Sequence, residues 1–462
     1  TRKESSAASD VYKRQVDGQV LNNVAVLVAA DGSVEEMRAG VSAPPEAVTY
    51  SGLALPGANN AHSHAFHRLL RGRTHADGGT FWTWRKVMYR AAEQLTPDNY
   101  YLLARAVYAE MLTAGYTSVA EFHYVHHQVG GTPYGGHDMG LALARAARDV
   151  GIRLVLLDTC YLTGGIGQEL NEQQARFSDG SIDGYVERHA GLATALADDL
   201  GGAFGGHSTV GYSGSEDPLV TLGSAIHSVR GVAKPDLPAF AELDGPLHVH
   251  LSEQPAENEA CVEHYGVTPT RLLADAGVVT DRLSAVHATH LTNEDIRLLG
   301  DARSAVVMCP TTEADLADGI GPASALAKAG AVISLGSDQH VVLDPLLELR
   351  ALEAGERLGS GERGRFSPDE LIAALTSGGA YSMHIRPGVG TGETQVADFV
   401  VVDTESVRTA GSVGEQAVLA ATATDATHVI VGGREVAAHG QHAQLGDVAQ
   451  LYGAALREFE LD

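Results

Sequence analysis

Pro56-Gly57-Ala58-Asn59-Asn60-Ala61-His62-Ser63-His64 is a short run that ends on two histidines one residue apart. In an extended segment alternate side chains share a face, so His62 and His64 point the same way and both imidazoles reach one ion. A strand ending in metal-competent side chains suggests a barrel enzyme, because (β/α)8 barrels carry their chemistry at the C-terminal ends of the strands. An HxH pair alone is more often two ordinary strand histidines. The reading therefore depends on whether the pattern repeats along the chain.

It repeats. Between about Leu53 and Gly390 short apolar runs alternate with longer helical stretches, as a parallel sheet with crossover helices requires. Candidate strands end at Ala61, Phe122, Thr159, Val229, Leu251, Ala288, Cys309 and Ser337, the fourth being weakly apolar. Eight strand-helix units point to an α/β fold, a (β/α)8 TIM-type barrel over 58–390, rather than an open doubly wound sheet. The fifth run, Leu247-His248-Val249-His250-Leu251-Ser252-Glu253, offers a third nitrogen from His250 and a carboxylate from Glu253 just past the strand end. The sixth ends Val286-His287, and the eighth is followed by Gly336-Ser337-Asp338, whose carboxylate suits a ligand or a base. Three histidines (His62, His64, His250) plus Asp338 describe a catalytic site for one divalent ion per chain, most simply Zn2+, with Fe2+ also suited. Such an ion lowers the pKa of bound water from about 15.7 towards about 7.

The chain ends read differently. Val24-Ala25-Val26-Leu27-Val28, then Ala397–Asp403 and Thr427–Gly433, look like strands separated by turns. They predict a small β-sandwich domain built from 16–57 plus 391–462, with a C-terminal helix. Thr1–Gln15 is polar, carries two of the five lysines and lacks periodicity, and is set apart as a disordered or non-native leader. Glycine and serine around Gly201–Gly214 suggest a loop.

Composition narrows the function classes. In 462 residues, 32 Lys plus Arg face 58 Asp plus Glu, a formal charge of −26, which argues against nucleic acid as a partner. Three widely spaced cysteines give neither a disulfide framework nor a metal knuckle and suit a reducing, cytoplasmic setting. No apolar run approaches the roughly 18 residues of a membrane span.

The HxH after the first strand, the HxxE after the fifth, the His after the sixth and Ser-Asp after the eighth resemble the amidohydrolase superfamily in its mononuclear deaminase branch. No lysine stands at the fourth strand end to bridge a second metal. Four loop strings narrow the resemblance: Phe81-Trp82-Thr83-Trp84-Arg85, Glu121-Phe122-His123-Tyr124-Val125-His126-His127, His227-Ser228-Val229-Arg230 and Cys309-Pro310-Thr311-Thr312-Glu313 are similar to the N-formimidoyl-L-glutamate deiminase family of histidine degradation. The resemblance implies a small dianionic substrate and a homodimer. It implies Arg85, Tyr124, His227 and Arg230 as carboxylate-binding residues, and His67, in place of a glutamine, at the formimidoyl group. It further implies Glu253 as proton shuttle, with His287 or Asp338 taking the proton of the attacking water. His123, His126 and His127 are expected to be supporting residues. A related deaminase acting on a guanine-like or triazine ring is the alternative; it would keep the metal residues and have no need of two arginines.

Overall fold

The computed structural model describes residues 13–16, 19–75, 81–209, 218–390 and 395–460. Eight strands form one all-parallel sheet in sequence order: β1 (Ala58–Ser63), β2 (Tyr116–His123), β3 (Arg153–Cys160), β4 (Val220–Ile226), β5 (Leu247–Leu251), β6 (Leu283–His287), β7 (Ala305–Met308) and β8 (Val332–Leu335). Every residue of β2 to β7 is buried, as expected of strands covered on both faces. Their aliphatic side chains form the main core together with the surrounding helices.

The sheet closes between β1 and β8. Ser63 bridges Asp338 in parallel, the backbone N–H groups of Ser337 and Asp338 donate to the His62 carbonyl (3.0 Å each), and the His64 N–H donates to the Asp338 carbonyl (3.2 Å). Asn60 reinforces the seam: its Nδ2 donates to Ser337 Oγ (2.7 Å) and its Oδ1 accepts from the Ser337 N–H (2.9 Å). Closure therefore sets the two histidines of the first strand beside the aspartate that follows the eighth.

Seven observed strand ends lie within two residues of the expected ones. β4 stops three residues before Val229, because Ser228 turns the chain: its Oγ accepts from the N–H groups of Arg230 and Gly231, both at 3.3 Å. The helix Pro97–Ala114 shows how local chemistry bounds an element. Thr96 and Asn99 form a reciprocal capping box, Pro97 occupies the first turn, and Gly115 ends the helix at φ +110°.

The small domain is a seven-stranded sheet in the order Gln441–His442, Arg434–Ala438, Ala426–Val431, Phe399–Val402, Leu53–Pro56, Lys13–Val16, Gln19–Leu21. A hairpin, Ala25–Val28 with Val34–Arg38, completes the sandwich, burying Val24 and Val26 against Ala54, Phe399, Val401 and Ile430. Of the segment set apart as a leader, residues 1–12 lie outside the described residues. Lys13–Gln15 belong to a strand that pairs with Gln19–Leu21 and with Leu53–Ala54. In the predicted loop, Gly201–Ala203 form a short 3-10 turn, and 210–214 lie outside the described residues.

Leu53–Pro56 leads into β1 through Gly57, where a Cβ would fall 2.1 Å from Thr117 Oγ1, so the joint admits only glycine without rearrangement. A buried, bidentate pair ties barrel to sandwich, with Arg153 Nε 2.6 Å and Nη2 3.0 Å from the two Asp398 oxygens. The C-terminal helix Val448–Leu456 lays Tyr452 under Arg68, whose guanidinium carbon is 4.0 Å from the ring centre. Among the described residues no helix is long and apolar enough to cross a membrane.

Candidate active site

The predicted metal residues converge at the C-terminal mouth of the barrel. His62 and His64 end β1, and their Nε2 atoms lie 3.1 and 3.4 Å from His250 Nε2 on β5. Asp338 Oδ1 is 3.5 Å from both His62 Nε2 and His64 Nε2. Backbone carbonyls fix two of the tautomers: His64 Nδ1 donates to Phe122 O (2.9 Å) and His250 Nδ1 to His227 O (2.8 Å). A neutral imidazole has one N–H, so the Nε2 atoms of His64 and His250 face each other as bare lone pairs. Burial holds all three imidazoles below their ordinary pKa, so they stay unprotonated. Lone pairs packed this way repel unless a cation shares them, and the donor set fits a divalent ion.

His64, His67 and Asp338 form a second close set of donors. In that set His67 Nε2 is already engaged by the Tyr124 hydroxyl at 3.1 Å, which favours the three-histidine set. His67 lies in the 3-10 turn Ala65–Leu70 that follows β1, and burial lowers its pKa to about 3, so the ring is neutral.

The chain leaves β6 and β8 in the left-handed region, with φ +70° at His287 and +40° at Asp338. Such backbone costs about 1 to 3 kcal/mol per residue and concentrates at functional sites. Here it accompanies side chains turned over the barrel mouth. His287 Nε2 is 3.9 Å from Glu253 Oε1, and its Nδ1 is 3.4 Å from Glu313 Oε1. Burial would lower the His287 pKa, but the Glu313 hydrogen bond and the carboxylates of Glu253 and Asp338 outweigh it and raise it to about 10. Burial raises the carboxyl of Glu253, against the opposing pull of His287 and Arg230, and likewise that of Asp338.

Ten of the eleven predicted site residues line one pocket: His64, His67, Arg85, Tyr124, His227, Arg230, His250, Glu253, His287 and Asp338. The eleventh, His62, lies fully buried against His250 at its floor. Arg85 projects from the helix Phe81–Glu93, donating through Nε to the Tyr89 hydroxyl (2.8 Å). Arg230 donates through Nε to Glu257 (2.8 Å) and brings Nη2 to 3.8 Å from Glu253. The three supporting histidines face away from the pocket. His126 Nε2 bonds the Thr159 carbonyl and His127 Nε2 the Asp179 carboxylate, while His123 packs on His126.

Sequence reasoning missed several neighbours. Glu313 stood inside a quoted motif without a role, and the structure sets it behind His287. Glu257 sits in the first turn of the helix Pro255–Tyr265, whose leading proline was the available signal. Tyr161 follows the last residue of β3, where strand-end logic could have found it. Tyr89 and Gln174 carried no signal, because only folding brings them together.

The sequence matches the amidohydrolase family over residues 53–436. It is 35% identical, over 91% of this chain and 92% of the relative, to a formimidoylglutamate deiminase of Pseudomonas aeruginosa. It is 27% identical to an 8-oxoguanine deaminase of the same organism, over 88% of each chain. The solved structure of an amidohydrolase from Brucella melitensis superposes with a TM-score of 0.87 at 30% identity, covering 98% of this chain and 99% of that one.

Proposed function

The chain belongs to the amidohydrolase family, and on that premise we propose that it hydrolyses N-formimidoyl-L-glutamate to N-formyl-L-glutamate and ammonia, a step of histidine degradation. One observation carries the reading: Arg85 and Arg230 line the same pocket as the histidine cluster, in a chain of formal charge −26. Two guanidiniums beside a hydrolytic centre suit a substrate with two carboxylates at one end and an amidine-like carbon at the other. The 35% identical relative supports the same substrate. A neutral ring would bring no carboxylate of its own to these two guanidiniums.

His62, His64, His250 and Asp338 would hold the ion, zinc in this reading. When bound, it supplies Lewis-acid activation of water. Arg85, Arg230, Tyr124 and His227 bind the two carboxylates and orient the formimidoyl group towards the histidines. His67, neutral, exchanges one hydrogen bond with that group. Asp338 accepts the proton of the attacking water, while His287, raised to about 10 and so protonated, donates a hydrogen bond that stabilises the developing charge. Glu253, whose burial favours its protonated form, hands a proton to the departing nitrogen, and Arg230 at 3.8 Å keeps the carboxyl facing the pocket. Asp338 then passes the water's proton to the same nitrogen while Glu253 recovers one from the new hydroxyl. The C–N bond to the terminal nitrogen breaks, ammonia leaves, the carbon becomes a formyl group and both carboxyls return to their starting states.

The test is ammonia release from N-formimidoyl-L-glutamate beside a panel of neutral rings that includes 8-oxoguanine, with metal analysis of the same preparation. Turnover of the rings alone would overturn the substrate assignment.

A further inference from the structure

Gln174 is almost wholly buried at one side of the pocket, in the turn Glu172–Phe177, and is neither ligand nor catalyst in the reading above. Its side-chain orientation is fixed from outside. The backbone N–H of Asn171 donates to Gln174 Oε1 (2.9 Å), so the amide nitrogen must face the other way. There Nε2 donates to the Tyr161 hydroxyl at 2.8 Å and to the Tyr89 hydroxyl at 3.2 Å, with a longer approach of 3.5 Å to the Gly164 carbonyl. Tyr89 accepts a second hydrogen bond, from Arg85 Nε at 2.8 Å.

These partners are all donors, and a donor cannot receive a phenol proton. The hydroxyl hydrogens of Tyr89 and Tyr161 are therefore turned away from Gln174 and Arg85, and both rings line the pocket. Burial pushes Tyr161 up to about 12, so its proton stays in place. The same wall carries the donors of Arg85 and Arg230. A wall that only donates is matched by an acceptor-only group, and an ionised carboxylate is that group.

We infer that Tyr89 and Tyr161 are carboxylate-binding residues of this pocket, and that Gln174 is the positioning residue that commits both hydroxyls to donating into it. The inference rests on the dianionic substrate proposed above and adds what selects the anion: a fixed direction of hydrogen bonding beside the positive charge. A phenol with both lone pairs free would serve a ring N–H as well as a carboxylate; Gln174 and Arg85 together occupy both on Tyr89, and Gln174 occupies one on Tyr161.

The experiment uses the full chain loaded with metal and compares Tyr89→Phe, Tyr161→Phe and Gln174→Glu with the parent. It measures KM and kcat on N-formimidoyl-L-glutamate and, by calorimetry without turnover, the affinity for N-formyl-L-glutamate. Each Tyr→Phe change deletes one donor to a charged acceptor and should raise KM and product Kd about tenfold to a hundredfold, with kcat within about threefold. Gln174→Glu is isosteric but turns the amide donor into an acceptor that draws both hydroxyl hydrogens off the ligand. It should raise KM at least as much as either tyrosine change, an effect lost packing does not explain. Unchanged KM and Kd in the tyrosine variants, or in Gln174→Glu, would overturn the inference while the parent's turnover leaves the substrate reading intact. A parent that neither turns over N-formimidoyl-L-glutamate nor binds N-formyl-L-glutamate would overturn both.

Discussion

Arg230→Ala removes two things at once, and the structure separates them. Arg230 lines the pocket, and its Nε is 2.8 Å from Glu257, whose side chain is 1% exposed while that of Arg230 is 24% exposed. Losing a clamp on a buried carboxylate typically weakens binding by 2 to 5 kcal/mol. A guanidinium one-quarter exposed retains some screening, which points to the lower part of that range, about 2 to 3 kcal/mol, or roughly a thirtyfold to 150-fold rise in KM. The variant also strands the Glu257 carboxylate, whose other oxygen accepts only a long bond, 3.4 Å, from the Ser252 N–H. Breaking a buried pair from one side costs about 3 to 5 kcal/mol of stability, and water reaching the vacated space reduces that to roughly 2 to 3. The double variant Arg230→Ala/Glu257→Gln relieves the stranded charge and keeps a group able to bond Ser252. Its urea midpoint should return most of the way to the parent value while its KM stays high. If KM returned together with stability, Arg230 would act by holding Glu257, and the two-arginine argument for a dianionic substrate would fall.

Glu253→Gln should retain the bound metal and lose about a hundredfold to ten-thousandfold in kcat, whereas His250→Ala should lose both; equal metal loss by elemental analysis would contradict the division of roles. Chelation should lower activity and thermal midpoint together, because an ion present at about 100 times its Kd adds roughly 2.7 kcal/mol to the folded state. A midpoint insensitive to chelator would argue against an ion among His62, His64 and His250. At low pH, Asp179 is the group to watch: burial opposes its ionisation, but the His127 hydrogen bond and Arg188 outweigh that and hold its carboxyl at about 2 against an ordinary 3.8. A depressed carboxyl stabilises above its unfolded pKa and loses that contribution as pH falls through the folded one. Asp179→Asn should therefore flatten the stability profile between about pH 4 and pH 2 by roughly 2.5 kcal/mol, and an unchanged acid-unfolding curve would refute this.

What was legible in the sequence follows from what local chemistry can encode. His62 and His64 could be set side by side because a two-residue period needs no knowledge of the rest of the fold, and His250, Glu253, His287 and Asp338 could be brought to the same mouth because barrel strands present their ends there. The β4 boundary misread by three residues, since Ser228 and Val229 look strand-like until the serine side chain is seen capping the turn. The segment up to Gln15 lacks periodicity, yet the pairing of Lys13 and Arg14 with Leu53 and Ala54 comes from a partner about forty positions away.

The pocket's polarity was the least legible part, for a physical reason. Residue type states how many hydrogen bonds a side chain can make, and only the neighbours decide which way each one runs. Arg85 is a cation in any context, so its attraction for a carboxylate could be read from the chain. Tyr124 and Tyr161 are donors or acceptors depending on what faces them, here His67 in one case and Gln174 in the other. In the proposed reading a −26 chain holds its anion site in two layers. Arg85 and Arg230 would supply charge there, and direction would come from neutral hydroxyls that already accept a bond from Gln174. High salt should weaken the first layer and spare the second, so the salt dependence of KM should persist in Tyr161→Phe and shrink in Arg230→Ala/Glu257→Gln. Equal salt dependence in the two variants would mean that the layers are not separable.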